Sequence, residues 1–396
     1  LSTAVIAVYL KIKLTANIHQ PSRRLVSERK RRNFWACRSP HYHATVLRHI
    51  FAQPYVMPIQ CAIHSLVGKL LENSNSVGDL TEWFETIVGV LQGCMLSPLL
   101  FNIFLEIIMA RALTDVDAGA VINGHVISNL RFADDIAALA EKEKELQQVV
   151  DNIVAESKKM GMMVNIEKTE VQHIGAQTKE IHIKIDSKDL KQIDDFIYLG
   201  GTISDDASTD KDVQRRTGLA CGVMQSLAPI WKSKAISTQT KVKVYETLVL
   251  SVLLYNSETW ALKESTKKKL RVFEMNCLRK IKGVTRRNRV RNTEIRRELK
   301  VETDVVQIIQ RRRLRYFGHI TRMSGERLPA IAFSGNVHGS RKRGRPKKRW
   351  EDNLKADLDE MGHTMVEAIR LASSDRDVWR KSVLGLSERG SPSPRH

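Results

Sequence analysis

Apolar residues follow helical spacing in some stretches of the first half of the chain and strand spacing in others, and after Asp205 the spacing is helical. Apolar side chains at i, i+3, i+4 and i+7 form one face of an amphipathic helix. This pattern predicts helices over residues 56–71, 99–113, 141–160, 240–254 and 266–282. Glycine suits the left-handed position just after a helix, so Gly161 and Gly283 are the predicted stops of two of them.

Short strands and turns lie between the helices of the first half. Asn123-Gly124, a pair that type I′ turns prefer, separates two apolar runs and predicts a hairpin. A second predicted hairpin carries Asp134-Asp135 at its tip, between arms over residues 127–133 and 136–139. Further strands are predicted over residues 164–174, 181–185 and 196–203. Mixed strands and helices followed by helices alone indicate an α+β protein with a helical C-terminal half.

The positive charge of the chain is concentrated in one segment. The net charge is +20, yet residues 261–350 hold 28 Lys and Arg against 7 Asp and Glu, while the remainder holds 36 against 37. Charges that only keep a protein soluble are interspersed in both signs. A concentrated basic stretch favours a polyanion, because each neutralised phosphate releases counterions. The asymmetry therefore predicts binding to nucleic acid.

Cysteine spacing and hydropathy exclude several protein classes. The five cysteines form no CxxC pair, which speaks against a zinc site or a disulfide framework and suits a reducing compartment. No apolar run is long enough to span a membrane, so no membrane partner is expected. The sequence begins with Leu1 rather than Met, which suggests a fragment or a truncated reading frame.

Four ordered motifs carry a family resemblance. They are GVLQGCMLSPLLFN at 89–102, LRFADD at 130–135, GMMVNIEKT at 161–169 and FIYLGG at 196–201. Together they resemble the reverse transcriptases of non-LTR (LINE-type) retrotransposons, far more specifically than any single motif could. The resemblance implies an antiparallel palm sheet with helices, then a helical thumb and a basic helical region. The expected domains are an unassigned leader (1–35), an incomplete palm (36–205), a thumb-like region (206–300) and a basic C-terminal region with a disordered tail (301–396).

The resemblance assigns roles around the second hairpin. Two adjacent carboxylates on a tight turn suit a hard divalent cation such as Mg²⁺, although Asp is also common in turns for local reasons. By resemblance, Asp134 and Asp135 are catalytic metal ligands, and Gln92, Gly93 and Phe132 contact template or nucleotide. Lys168 stands where the family is thought to place a cation near the leaving pyrophosphate. An exposed lysine at a strand end and a plain loop glutamine are the alternative interpretations of Lys168 and Gln92.

The basic segment contains two further family-like stretches, RRRLRYFGHI at 311–320 and SRKRGRPKKRW at 340–350. Candidate nucleic-acid contacts are Arg311, Arg312, Arg313, Arg341, Arg343, Arg345, Lys347 and Lys348. The Arg-Gly-Arg-Pro core resembles an AT-hook, which lies in a narrow A·T minor groove. The alternative is a flexible linker that binds any phosphate.

One departure from the family pattern bears on activity. The family supplies a further aspartate upstream in an Ala-Phe-Asp-Ser context, whereas Arg38 occupies that place in Ala36-Cys37-Arg38-Ser39. No Asp occurs before Asp79. By descent the function is RNA-directed DNA polymerisation with Mg²⁺, deoxynucleotides, an RNA template and a DNA primer, in the nucleus rather than the cytoplasm. The alternatives are a catalytically inactive nucleic-acid-binding remnant and, against the charge evidence, an interaction protein unrelated to nucleic acid.

Overall fold

The computed structural model describes residues 5–14, 70–72, 75–76, 79–80, 84–86, 95–114, 116–175, 179–335 and 347–385. Within these residues every strand lies before residue 205, and the chain is helical after it. The strands are β1 (Val5–Leu14), β2 (Leu70–Glu72), β3 (Asn75–Ser76), β4 (Asp79–Leu80), β5 (Phe84–Thr86), β6 (Ala120–Ile122), β7 (His125–Ile127), β8 (Asn129–Phe132), β9 (Asp135–Ala140), β10 (Met162–Val164), β11 (Glu170–Ile174), β12 (Lys184–Ile185), β13 (Lys188–Asp189), β14 (Lys191–Ile193), β15 (Asp195–Tyr198) and β16 (Gly201–Ser204).

Two helices accompany the strands, and the others follow them. The helices are α1 (Ser97–Ala112), α2 (Glu143–Lys159), α3 (Asp210–Ser226), α4 (Ala228–Lys232), α5 (Thr238–Val244), α6 (Ser251–Leu253), α7 (Glu264–Lys282), α8 (Asn292–Leu299), α9 (Val305–Thr321), α10 (Leu328–Ser334), α11 (Trp350–Met361), α12 (Met365–Ser374) and α13 (Arg376–Leu384). A π-helical turn, Tyr245–Leu250, joins α5 to α6, so the two form one continuous helical segment.

The main sheet has six strands in the order β14-β11-β1-β9-β8, with β10 also paired to β1. All its pairs are antiparallel except β11 with β14. β1 is the central strand: β9 pairs along one of its edges, and β11 and β10 pair along the other. Residues Ile6–Leu10 are buried, as a strand covered on both faces requires.

Helices α1 and α2 cover one face of this sheet and form its core. α2 presents Leu146, Val150 and Ile153 to the sheet at helical spacing, and all three are fully buried. α1 contributes Phe104 and Ile108 to the same cluster. These contacts confirm the predicted amphipathic helix over 141–160, and they place the helix after Pro98 beneath the same sheet. The α+β class is likewise confirmed.

The structure differs from the sequence prediction in three strands. Residues 196–203 form a hairpin, β15–β16, rather than one strand, because Leu199 and Gly200 both take positive φ angles of 49° and 77° and reverse the chain. Ile166 lies in a 3-10 turn between β10 and β11. β1 lies in a segment for which the sequence predicted no element. Of the predicted helix over 56–71, residues 56–69 lie outside the described residues, and Leu70 begins strand β2.

Two further cores lie in the helical half. The central core is formed by α3 to α8 and the first half of α9, with Tyr245, Trp260 and Leu278 among its most buried side chains. The C-terminal core is formed by the second half of α9 with α11, α12 and α13. Because α9 contributes Ile309 to one core and Phe317 to the other, it ties them together. Among the described helices, none is long and apolar enough to cross a membrane.

Candidate active site

The Asp134-Asp135 pair lies at the predicted hairpin, one residue off the predicted register: Asp134 is in the turn and Asp135 is the first residue of β9. Phe132 and Asp135 are opposite each other in the register, so Ala133 and Asp134 form a two-residue turn. Ala133 takes the positive φ of 51° that tight hairpin turns require. Both carboxylates are half-buried, whereas the Phe132 side chain is 62% exposed. An ion pair between Arg131 and Glu106 of α1, at 2.7 Å, joins the hairpin to the helix beneath.

Strand β1 lies next to the acidic tip. In the β1–β9 register, Lys11 is directly opposite Asp135. Both edges of β9 are therefore occupied at this level, by β8 through Phe132 and by β1 through Lys11. Arg38, the predicted substitute for an aspartate, lies outside the described residues.

Lys168 approaches the same level of β1 from its other edge. β1 pairs with Glu170 of β11 at Tyr9 and with Val164 of β10 at Ile12, and the 3-10 turn Ile166–Lys168 interrupts the pairing between them. The Lys168 side chain is exposed. Because β9 pairs along one edge of β1 and β10 and β11 along the other, this turn lies on the far side of β1 from Asp135. The structure thus brings Lys168 to the site's neighbourhood and leaves its charge in water.

An aromatic cluster covers the face of the sheet opposite α1 and α2. The Tyr9 ring stacks on Phe196 with centroids 3.6 Å apart, and the Tyr198 ring lies 6.1 Å from it. The Tyr9 hydroxyl donates to Gln172 Oε1 at 2.9 Å, and burial raises the pKa of Tyr9 above its ordinary range. Burial also raises the pKa of Tyr198, with a smaller contribution from the negative charge of Asp135. The β15–β16 hairpin therefore lies beside the acidic tip.

Helix α3 and Tyr255, which follows α6, hold the turn of this hairpin. The Tyr255 hydroxyl donates to the Leu199 carbonyl at 2.9 Å, and Arg215 donates to the Gly200 carbonyl at 3.2 Å. Arg216 donates to the same Gly200 carbonyl, and its guanidinium lies 4.2 Å from the centre of the Tyr255 ring. The helical half of the chain thus fixes the hairpin that covers the sheet.

Asp212 of α3 joins the same two regions. Its buried carboxylate accepts from the Thr202 backbone N–H at 3.0 Å and from Trp260 Nε1 at 2.8 Å. We expect Asp212→Ala to lower the free energy of unfolding by about 2–3 kcal/mol, because both donors then lose their acceptor. Asp212→Asn keeps one acceptor oxygen and should lose clearly less. Urea unfolding of the two variants measures the difference, and equal losses would show that the two hydrogen bonds contribute little.

The side chains at the hairpin tip can be compared with the ligands that a metal site of a polymerase needs. Asp134 and Asp135 provide two oxygen ligands of the kind that hard cations prefer. Among the described residues, however, no group of three or more His, Cys, Asp or Glu side chains could hold a metal ion. β1, the strand beside Asp135, contains no acidic residue. The described residues therefore do not fit a two-metal site, which needs carboxylates from more than one strand to bridge both ions.

Comparison with known proteins identifies the sheet region. Residues 43–203 match the family model described as reverse transcriptase (RNA-dependent DNA polymerase). The chain is 28% identical over 163 residues to the Pol polyprotein of the type-1 retrotransposable element R2 of Nasonia vitripennis, and 27% identical over 136 residues to that of the type-2 element R2DM of Drosophila melanogaster. Residues 43–203 are therefore similar to reverse transcriptases, including those of non-LTR retrotransposable elements.

The extent of these similarities differs between relatives. An uncharacterised transposon-derived protein of Caenorhabditis elegans is 25% identical over 268 residues, which cover 65% of this chain and 95% of the nematode protein. The two R2 matches cover 37% and 32% of this chain but only 16% and 13% of the polyproteins. Residues 224–255 also match a domain of unknown function. Polymerases of the reverse-transcriptase family generally use divalent metals and act on a nucleic-acid template with nucleotide substrates.

The structure places the three predicted arginine contacts at residues 311–313 in different surroundings, and it removes Arg313 from the surface. Arg313 is buried and donates to Asp357 at 2.5 Å, so it is not available to a phosphate. Burial raises the pKa of Asp357 to about 6, although the Arg313 charge opposes this. Arg312 donates to the Leu254 carbonyl at 2.6 Å. Of the three, Arg311 is half-buried and has no ion-pair partner among the described residues.

The remaining predicted residues are only partly described. Lys347 and Lys348 are exposed, and Lys347 donates to the Asp206 carbonyl at 2.8 Å. The predicted template and groove contacts Gln92, Gly93, Arg341, Arg343 and Arg345 lie outside the described residues. Sequence reasoning missed Tyr9 and Lys11 of the reverse-transcriptase-like sheet. The uninterrupted apolar run from Val5 to Leu10 was the available signal, since such a run is typical of a strand buried on both faces.

Proposed function

We propose that this chain binds nucleic acid through its reverse-transcriptase-derived sheet and its basic helices, and does not polymerise DNA at a useful rate. The observation that carries the proposal is the set of acids at the hairpin tip: Asp134 and Asp135 lie there, and among the described residues no third metal-ligating side chain joins them. Two cations must meet the charge that develops on a transferring phosphate, and they need carboxylates to hold them. β1, the strand that pairs with Asp135 at this level, contains no acidic residue, so it supplies no further oxygen ligand.

Several features support nucleic-acid binding without catalysis. The excess of positive charge lies in the helical half, in residues 261–350. The palm hairpin, its aromatic cover and the helices that fix it are joined by ring stacking and hydrogen bonds between residues of the chain itself. We place an RNA template paired to a DNA primer as the ligand class, because the sheet derives from proteins that bind this combination.

RNA-directed DNA polymerisation with Mg²⁺ and deoxynucleotides is the second candidate. It is favoured by one observation, the paired carboxylates Asp134 and Asp135 at the hairpin tip. Polymerases of this family present such a pair to the metal. The two candidates differ in a single measurable quantity, the dependence of primer extension on Asp134.

The test uses the full chain with a fluorescein-labelled RNA–DNA template–primer. We expect binding by fluorescence anisotropy to be the same with Mg²⁺ and with EDTA, and to weaken steeply as salt rises. Primer extension should not exceed that of Asp134→Ala, since loss of one preorganised electrostatic group alone typically costs on the order of a hundred- to a thousandfold in rate. Extension that depends on Asp134 would establish the second candidate. Failure to bind the template–primer at all would remove the proposal.

A further inference from the structure

The connection between α7 and α8, residues 284–291, is a cationic surface loop that we call the basic loop. It contains Arg286, Arg287, Arg289 and Arg291, and all four side chains are exposed. From 279 to 300, the chain holds ten Lys and Arg against only Glu294 and Glu298. The densest exposed cationic segment that the structure describes is thus here, and not at residues 311–313.

Two of the three acids near the basic loop, Glu274 and Glu298 but not Glu294, are already paired with other cations. Glu298 pairs with Lys282 at 2.7 Å, and the buried Glu274 pairs with Arg296. Within the described part of the chain, no ion pair or side-chain hydrogen bond involves the following cations: Lys280, Arg287, Arg289, Arg291, Arg297 and Lys300. Their charges are not neutralised within that part of the chain, so the surface is available to an anionic partner.

The basic loop has a fixed shape. Asn288 Oδ1 accepts from both the Thr285 backbone N–H and the Thr285 hydroxyl, each at 2.8 Å. Val284 and Val290, at its two ends, pack against the central core. Because both ends are anchored and the turn is hydrogen-bonded, the backbone of the loop loses little conformational entropy when an anion binds the arginines.

A cavity of about 390 Å³ opens beside the basic loop, between α3 and α7. Its floor is apolar and includes the buried Met224, Phe273 and Cys277. Its rim is cationic and includes Lys280 and Arg286. A volume of this size lies at the small end of ligand pockets, and an apolar floor with a charged rim suits a flat ring that carries a phosphate.

We propose that the basic loop and this cavity form a binding site for single-stranded nucleic acid, with phosphates on the loop arginines and one unstacked base in the cavity. The proposal rests on the nucleic-acid binding proposed above and adds where it occurs and for which strand state. Single-stranded bases are free to leave the stack and insert between apolar and aromatic side chains. A base inside a duplex is paired and stacked, and it enters a cavity only at the cost of being flipped out.

The first test removes the loop charges in the full chain. The triple variant Arg287→Ala, Arg289→Ala, Arg291→Ala should weaken binding of a fluorescein-labelled 12-nucleotide oligo(U), and the slope of log K against log salt should fall by about 2, at roughly 0.7 per phosphate contact. The matched control is Arg376→Ala, Arg380→Ala, Lys381→Ala, which removes the same charge from the exposed face of α13. Equal effects of the two triples would overturn the location of the site.

The second test fills the cavity. Cys221 lines the cavity from α3 and is exposed, so Cys221→Trp can place an indole in it while the core stays intact. We expect oligo(U) binding to weaken about tenfold, since one stacked base is worth roughly that factor or more. Binding of a blunt duplex of the same length should not change. The size-matched Cys221→Ser should bind both as the unmodified chain does, and unchanged oligo(U) binding by Cys221→Trp would overturn the assignment of a base to the cavity.

A third measurement needs no variant. Alkylation of Cys221 by iodoacetamide, followed at that residue by mass spectrometry, should slow when oligo(U) is bound. Cys277 is an internal reference, because burial raises its pKa to about 12 and leaves it unreactive. Alkylation that is equally fast with bound oligo(U) contradicts the proposed site. If the chain binds neither oligo(U) nor the template–primer, the proposed nucleic-acid binding is wrong. If it binds nucleic acid but neither the loop variant nor the cavity variant changes the affinity, only the proposed site is wrong.

Discussion

Asp357→Ala is expected to lower the free energy of unfolding by about 3–5 kcal/mol, because it leaves the buried Arg313 guanidinium without its partner. Arg313 is 2% exposed, and its 2.5 Å contact with Asp357 joins α9 to α11. A charge stranded in the interior loses its hydration and gains nothing in return. Urea unfolding followed by circular dichroism measures the loss.

Two variants make this expectation specific. Asp359→Ala removes an exposed acid from the same helix and should change the stability by less than about 0.5 kcal/mol. The double variant Arg313→Met, Asp357→Leu replaces the ion pair by apolar side chains and should recover most of the loss, since buried pairs are often replaceable in this way. A double variant as unstable as Asp357→Ala would argue against the stranded charge as the cause. If the double variant folds but no longer binds nucleic acid, Arg313 takes part in nucleic-acid binding as the sequence predicted.

The arginine triplet shows why sequence alone misplaces binding residues. Successive side chains on an α-helix point about 100° apart, so three consecutive arginines cannot share one environment. In α9, Arg311 is half-buried and has no ion pair with the described residues, Arg312 donates to a carbonyl and Arg313 lies in a core. Counting charges identifies residues 261–350 as the basic segment. Which of its side chains are exposed depends on how the helices pack, and the charge count does not contain this information.

Elements whose signals are local were predictable. The tip of the β8–β9 hairpin, the face of α2 that packs on the sheet and the glycine stops at Gly161 and Gly283 follow from a few neighbouring residues each. The candidate carboxylates Asp134 and Asp135 were placed for the same reason. The motifs that resemble the reverse-transcriptase family cover the same residues, so they supported the same predictions.

Elements that depend on distant partners were not predictable. β1 pairs with β9 and β11, which lie more than a hundred residues later, and nothing in its own run of apolar residues names these partners. That β1 is the strand beside Asp135 follows only from this register. The cavity beside the basic loop is likewise built by α3 and α7, whose contact the sequence pattern does not encode.

Gly318→Ala is expected to cost about 3–5 kcal/mol of stability, although alanine has the higher helix propensity. Gly318 lies in α9, within the arginine-rich stretch 311–320. A Cβ atom at this position would overlap with Nε1 and Cδ1 of Trp379. The Trp379 indole is 2% exposed, and its Nε1 donates to the Leu314 carbonyl at 3.0 Å. Overpacking of a core costs about 1–3 kcal/mol, and displacement of the indole adds the loss of this hydrogen bond.

The matched control is Gly222→Ala in α3, where a Cβ would meet no atom within 4 Å. That variant should gain about 0.5–1 kcal/mol, because alanine then improves the helix without any clash. Trp379→Leu, which shortens the indole, should cost stability alone but should reduce the additional loss caused by Gly318→Ala, since residues in direct contact are coupled. If the losses of the two single variants simply add in the double variant, the Gly318–Trp379 contact is not what fixes glycine in α9, and the role of this stretch has to be sought on its exposed face instead.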